Sequence, residues 1–439
     1  MSVEVLTFGC RLNAHESDAM RGLAGRAGHS GAVVVNTCAV TAEAEKQARK
    51  AIRAAHRRDP AAPIHVTGCA AQIAPERWSA LPGVVRVVPN ARKLDPAAWA
   101  RAPADAPGPL PGIAGSEEGR TRAFLQVQGG CDHACTFCVI PQGRGASFSV
   151  PVAALAERLR RLVEQGHQEA VLTGVDIASW GADLPGRPAL GTALRQLLAL
   201  VPELPRLRLS SLDPAALDDD LWRLLAEEPR LMPHLHLSLQ HGADLILKRM
   251  KRRHSRADAL RAASRARDAR PGLALGADLI AGFPTETEAH LRDTLDLVDE
   301  MELSFLHVFP YSERPNTPAA RMPSVPVPLR RERAARLRAA GAAAAARFYA
   351  GRVGREETVL FEAGNRGRTE HFAPLRLADG APPVPRGAIR RVRPTASGPD
   401  GLLADGPAAN GFAVGSRLAA GPLAQGQRVA HPSTTGEDR

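Results

Sequence analysis

The chain has 439 residues, 44% of them hydrophobic and 23% charged, which is too long for one small core and ordinary for a globular protein of two or three domains. The opening MSVEVLTFGC lacks a secretory pattern, and no run approaches the ~18 apolar residues that cross a membrane, so a cytoplasmic protein with no membrane partner is expected. A net charge of +11 favours a polyanionic partner such as nucleic acid, although five lysines against 52 arginines is also what a GC-rich genome produces, and 4% aromatics disfavours a base-stacking strand binder.

Strand and helix signals alternate from the start. VEVLTF (3–8) is a strand, and a helix follows from about Ala14. AVVVN (32–36) precedes a helix opened by Thr41, with Glu43 and Glu45 in the first turn where the helix dipole favours acids. IHVTG (64–68), a short helix started by Pro75, and VVRVV (84–88) complete the set. This α/β pattern predicts a flavodoxin-like, doubly wound parallel sheet over residues 1–94. Residues 95–121, rich in Pro, Ala and Gly, read as a linker.

A second series begins with AFLQVQ (123–128) and continues through EAVLTG (169–174), RLRLSS (206–211), HLHLSLQ (234–240), LGADLIAGFP (275–284) and FLHVFPYS (305–312). The helix 151–166 between the first two carries Leu155, Leu159, Leu162 and Val163 on one face. Six β/α units over 122–350, ending in an Arg/Ala helix (about 328–350), predict a partial (β/α)6 barrel. Residues 351–407 read as a small β domain, and 408–439 as a weakly ordered tail.

All six cysteines lie in the first third of the chain. Long cytosolic chains seldom form disulfides, so metal or redox roles are favoured. Cys10, Cys38 and Cys69 each follow a predicted parallel strand, at FGC, NTC and TGC. The carboxyl ends of such strands share one edge, where ligands bind, so the three thiols should converge. The alternative is three separately buried cysteines. Cys131, Cys135 and Cys138 form C-x3-C-x2-C after the first barrel strand, again at a carboxyl end. Thiolates suit zinc or iron–sulfur clusters. Three of them on a 4Fe–4S cube leave one iron open to a small molecule; zinc with His133 as fourth ligand is the alternative, with a cramped bite.

C-x3-C-x2-C in this setting resembles the radical S-adenosylmethionine enzymes. That resemblance implies that the open iron holds the methionyl group of S-adenosylmethionine and that Phe137 packs its adenine. FGCRLNAHES, VVNTCAVT, TGCAAQ, GCDHACTFCVIPQGRG, LTGVDIASWG, RLSSLDP and FPYSERPNTPAARM, in this order over about residues 3–400, are similar to the methylthiotransferases. The resemblance implies two 4Fe–4S clusters, the second on Cys10, Cys38 and Cys69, with one S-adenosylmethionine giving the methyl group and another the radical. It also implies a reductant protein, a sulfur donor and a small RNA-binding C-terminal domain, although GRTEHFAPLRLADG departs from the usual form of that domain.

Family members act on adenosine 3′ of the tRNA anticodon, carrying an isopentenyl or a threonylcarbamoyl group, or on an aspartate of a ribosomal protein. The forms NTCAVT, TGCAAQ and LTGVDIASWG look closest to the threonylcarbamoyl branch, with the tRNA anticodon stem-loop as partner. A non-catalytic iron–sulfur RNA-binding protein is the alternative from another class. Thr173, Gly174, Asp176, Ser210, Ser211, Gln240 and Asp278 lie at or near strand ends, where polar and small residues line cofactor pockets. KRMKRRHSR (248–256) reads as a solvated helix face or an RNA contact, Arg144 as a phosphate or cofactor contact or a fold-stabilising pair, and His234 and His236 as packed within the barrel.

Overall fold

The computed structural model describes residues 3–100 and 121–407. Strand β1 (Glu4–Thr7) leads into helix α1 (Arg11–Arg26), β2 (Val33–Thr37) into α2 (Ala42–Arg58), and β3 (Ile64–Gly68) into the short α3 (Cys69–Ile73), before β4 (Val84–Val87). The four strands form one parallel sheet in the order β1-β2-β3-β4. Side chains alternate between faces along a strand. Val33 and Val35 of β2 therefore pack with Ala48 and Ile52 of α2, whereas Val34 packs with Met20 and Leu23 of α1. Helices cover both faces, which explains why every residue of β2 and β3 is buried. Thr41 caps α2, its hydroxyl accepting the Ala44 N–H. Helix α1 starts three residues earlier than its periodicity indicated, at the residue after Cys10.

Residues 95–100, expected within the linker, fold onto this sheet instead. Pro96–Trp99 make a 3-10 turn, Trp99 is buried, and its indole N–H donates to the Lys93 carbonyl at 2.8 Å. One tryptophan with its polar tip satisfied is enough to dock a segment whose composition reads as a linker. Residues 101–120 and the expected tail, 408–439, lie outside the described residues.

Six further parallel strands follow: β5 (Ala123–Gln126), β6 (Glu169–Thr173), β7 (Arg206–Leu209), β8 (His234–Gln240), β9 (Ala274–Ala281) and β10 (Phe305–Pro310). The first three form one sheet and the last three another, and isolated parallel bridges at Leu207–Leu231 and Leu212–Leu237 join them. Among the described residues nothing pairs β5 with β10, so the barrel is open on that side. One alternating set, including Leu125, Leu172, Leu209, Leu237 and Leu279, packs into a single core with helical Leu159, Leu194 and Leu197. The other set turns inward and is largely polar, including Arg122, Thr173, Arg208, His236 and Asp278.

Helix Val327–Ala350 connects to a six-stranded, mainly antiparallel sheet between residues 357 and 404. Tyr349 of that helix joins the core of Val359, Phe361, Leu375 and Leu402, and Phe305 of β10 packs against it. Shared apolar packing thus fixes the β domain to the barrel. No helix among the described residues is long and apolar enough to cross a membrane.

Candidate active site

The loop after β5 is closed at its neck. The Cys131 N–H donates to the Gly145 carbonyl at 3.1 Å. Gly130 makes this approach possible: its φ is 66°, and a Cβ there would lie 1.8 Å from the Ala146 oxygen. Inside the loop the Ile140 N–H, at the start of helix α4 (Ile140–Arg144), points to the Cys138 sulfur at 3.4 Å. Arg252 Nη1 lies 3.7 Å from the Cys135 sulfur, while Nη2 donates to the Ser238 carbonyl at 2.7 Å and to Asp213 at 3.2 Å. Burial pushes the Cys138 thiol up to about 12; the Ile140 N–H opposes this, and Cys135 and Cys131 add repulsion. Burial raises Cys131 as well.

The basic run is not simply a solvated face. Thr136, between the cysteines, donates its N–H to the Met250 carbonyl at 3.1 Å and its hydroxyl to the Arg249 carbonyl at 2.8 Å. Arg249 donates to Thr285 at 2.6 Å, Arg253 to Asp213 at 3.2 Å, and His254 is buried 3.9 Å from the same carboxylate. Lys248, Lys251 and Arg253 remain exposed. A local charge count could not reveal this, because Thr136, Asp213 and Thr285 lie 36 or more residues away.

Cys10, Cys38 and Cys69 meet at the carboxyl edge of the N-terminal sheet. Gly9, at φ 101°, touches Cys38: a Cβ on it would sit 2.7 Å from the Cys38 sulfur. Burial pushes the Cys38 thiol up to about 11, opposed by the Val40 N–H and reinforced by repulsion from Cys10 and Cys69. Cys69 lies beside α4, whose Gly143 carbonyl accepts the Asn90 amide. From the end of α4, Arg144 reaches into the same site. It donates to Glu16 at 2.8 and 3.0 Å and to the Asn13 side-chain oxygen Oδ1 at 2.6 Å, and Lys93 pairs with Glu16 from the other side. Burial alone would raise the Glu16 carboxyl, but Arg144 and Lys93 outweigh it and hold it at about 2. Of the two readings of Arg144, the structure gives the fold-stabilising pair.

Neither triplet is arranged for a single metal ion. Among the described residues, donor groups within 4.8 Å of one another are Cys131–His133–Asp176, His236–Asp278–His307 and Glu357–Glu370–His371. Neither cysteine triplet is one of them, whereas thiolates around one tetrahedral zinc stand ~3.8 Å apart. His133 Nε2 is already engaged by Asp176 at 2.6 Å. Three soft sulfurs at wider spacing fit a cluster rather than a single ion.

Thr173 is buried at the end of β6, its carbonyl accepting the Val127 N–H at 2.9 Å. Gly174 abuts the Gln128 carbonyl. Ser210 donates its N–H to Leu172, and Gln240 ends β8 at a left-handed φ of 69°. Asp278 lies deeper, 3.0 Å from His236, 3.2 Å from His307 and 3.1 Å from Ser211. Burial would raise its carboxyl, but the two histidines outweigh this and hold it well below the usual carboxylate range. His234 is packed and fully buried, which lowers its pKa well below the ordinary value, with Arg208 adding repulsion. Phe137 packs edge-on to Phe283, centroids 6.4 Å apart, among Ile280, Met250 and Tyr311.

Sequence reasoning missed Gln128. Its amide nitrogen donates to the Gly129 and Gly130 carbonyls at 2.9 Å, and its oxygen accepts the Val175 and Asp176 N–H groups. It ties the cysteine loop to the end of β6. An inward polar residue just before Gly-Gly-Cys was the available signal. Arg252 and Asp213 lie within KRMKRRHSR and RLSSLDP, but nothing local pairs the two.

An open parallel β/α barrel with a three-thiolate loop at the carboxyl end of its first strand defines the radical S-adenosylmethionine class, and the model of the Radical SAM superfamily matches residues 125–298. A second model, described as uncharacterized protein family UPF0004, matches residues 2–89. A threonylcarbamoyladenosine tRNA methylthiotransferase MtaB of Rickettsia prowazekii is 45% identical over 85% of this chain and 91% of its own length. The like-named protein of Thermotoga maritima is 34% identical over 82% and 86%. A tRNA-2-methylthio-N(6)-dimethylallyladenosine synthase of Erythrobacter litoralis is 38% identical over the same shares. The chain belongs to the radical S-adenosylmethionine methylthiotransferase family. It is an enzyme of that kind, with a 4Fe–4S cluster and S-adenosylmethionine as cofactors.

Proposed function

We propose that this enzyme adds a methylthio group to C2 of N6-threonylcarbamoyladenosine next to the tRNA anticodon. Cys131, Cys135 and Cys138 would hold one cluster, and Cys10, Cys38 and Cys69 a second. The observation that carries the reading is the pair of thiol triplets, one on each side of α4, each without a fourth cysteine. The threonylcarbamoyl substrate is supported by the names of the Rickettsia and Thermotoga relatives, and the positive net charge suits tRNA.

When bound, such clusters supply the electron that cleaves S-adenosylmethionine and an open iron for the sulfur to be transferred. The chain's own residues hold the two sites in register. Arg252 places a positive charge against the Cys135 sulfur. Gln128 orients the loop, and Thr173, Gly174, Ser210, Gln240 and Asp278 would line the S-adenosylmethionine and substrate cavity with Phe137 at its apolar side. A reductant protein and a separate sulfur donor complete the partners.

The test is mass spectrometry of tRNA nucleosides from cells with and without the gene. Loss of 2-methylthio-N6-threonylcarbamoyladenosine alone is expected. Loss of the isopentenyl derivative, or of a methylthio-aspartate in a ribosomal protein, overturns the substrate assignment. Anaerobically purified protein is expected to carry about eight irons, falling to about four in Cys38→Ala. Zinc, or about four irons in the unaltered protein, overturns the two-cluster reading.

A further inference from the structure

The inner wall of the barrel below Asp278 carries an unusual concentration of arginine. Four guanidiniums surround the ring of Phe372, which the β domain inserts at a left-handed φ of 70°. Their central carbons lie 4.5 Å (Arg368), 4.9 Å (Arg208), 5.4 Å (Arg11) and 5.5 Å (Arg122) from its centroid. They come from all three parts of the fold: α1, β7, the residue before β5, and the β domain. Arg206 lies on the same inner face of β7.

Acceptors are too few for these donors. Glu169 takes Arg122 and Arg208, both at 2.8 Å, and also has Arg206 3.6 Å away. Glu362 pairs with Arg122. Arg122 Nη2, Arg206 Nη2 and Arg208 Nη1 remain buried without a hydrogen-bond acceptor, on side chains at least nine-tenths buried. Leaving such buried groups unpaired is costly, so their retention points to an anion that arrives later.

The space for that anion is present. A cavity of about 330 Å³ is lined by Arg11, Arg122, Arg368, Arg386, Phe124 and Phe372. A second, of about 340 Å³, shares Arg368 and Phe372 and reaches His307 on β10. The two flank Phe372 in the open side of the barrel between β5 and β10. Cavities of this size take a base substituent rather than a length of polynucleotide.

We infer that this arginine cage is the subsite for the carboxylate carried by the N6 substituent of the target adenosine. The inference rests on the threonylcarbamoyl reading above and deepens it. A threonylcarbamoyl group ends in a carboxylate, which guanidinium forks bind in two-point geometry. An isopentenyl group offers no acceptor, so entering the cage would leave the unpaired N–H groups unsatisfied. A site built to bond a polar group rejects the analogue lacking it far more strongly than a greasy pocket rejects an extra polar atom.

Backbone phosphate is the other source of anionic oxygen, and the experiment separates the two. Full-length, anaerobically reconstituted protein is titrated with three anticodon stem-loop RNAs: one carrying N6-threonylcarbamoyladenosine, one carrying its methyl ester, and one unmodified. The free acid is expected to bind about tenfold more tightly than the ester. Arg368→Met and Arg11→Met should each bring that ratio near one, with affinity for the unmodified RNA within about twofold. Iron content and melting midpoint identify a variant that has not folded, and the other variant then decides.

A ratio near one in the unaltered protein, or a ratio preserved in both variants, overturns the inference. Equal losses on all three RNAs also overturn it, by assigning the cage to phosphate. Methylthiolation of isopentenyl RNA in place of threonylcarbamoyl RNA, read by product mass, overturns the underlying functional reading instead.

Discussion

Cys135→Ala is expected to abolish formation of 5′-deoxyadenosine from S-adenosylmethionine after anaerobic reduction, while tRNA affinity stays within about twofold. With three cysteines in the loop and no fourth, removing one leaves two thiolates, too few to hold a cube and keep one iron open. The loss should therefore be complete rather than graded. The same change strips Arg252 Nη1 of its sulfur acceptor, but Nη2 keeps its bonds to Ser238 and Asp213, so the surrounding fold should persist. Cys38→Ala provides the contrast. It should keep cleavage and lose transfer of the methylthio group, because its thiol belongs to the other triplet. Cleavage that survives in Cys135→Ala, or that disappears equally in Cys38→Ala, would contradict the division of labour between the two sites.

Glu16→Gln should destabilise the protein by about 3–5 kcal/mol, the cost of leaving buried charges uncompensated. Glu16 is fully buried between Arg144 and Lys93, themselves almost entirely buried. Glutamine fills the space and keeps a hydrogen bond but cannot neutralise two cations. A melting midpoint lower by at least about 12 °C is expected for the N-terminal unit. The pH profile adds a signature. Glu16 has a folded pKa of about 2, below its ordinary value of 4.5. Its contribution is therefore complete above pH 4.5 and is lost as pH falls from 4.5 toward 2. Glu16→Gln should flatten that part of the curve. A midpoint within about 2 °C of the unaltered protein would show that the triad is not what holds α4 against the sheet.

The legible part of this protein is the part encoded by short-range regularity. A β-branched run marked β2 and β3, leucine alternation marked the barrel strands, and the Thr41 cap marked α2, because side-chain period and capping act within a few residues. The cysteines could be sorted into two triplets by chain position alone, since each follows a strand and parallel strands align their carboxyl ends. Trp99 shows where this stops. Its segment has linker composition, and only the presence of a matching apolar face made it part of the sheet. Glu16, Lys93 and Arg144 show the same limit for charge: 77 and 128 residues separate Glu16 from its partners, and no local pattern joins them.

By itself, then, the sequence determined the α/β class, the two thiol triplets and the barrel that carries one of them, all written in spacing and alternation. Only the tertiary structure decided what the charges do. It turned the basic run onto the cysteine loop, drove Arg144 from one triplet's loop into the other triplet's site, and gathered arginines from three parts of the chain around Phe372. The physical reason is that a side chain's period is set by its neighbours in the chain, whereas the worth of a charge is set by burial and by whichever counter-charge folding brings within reach.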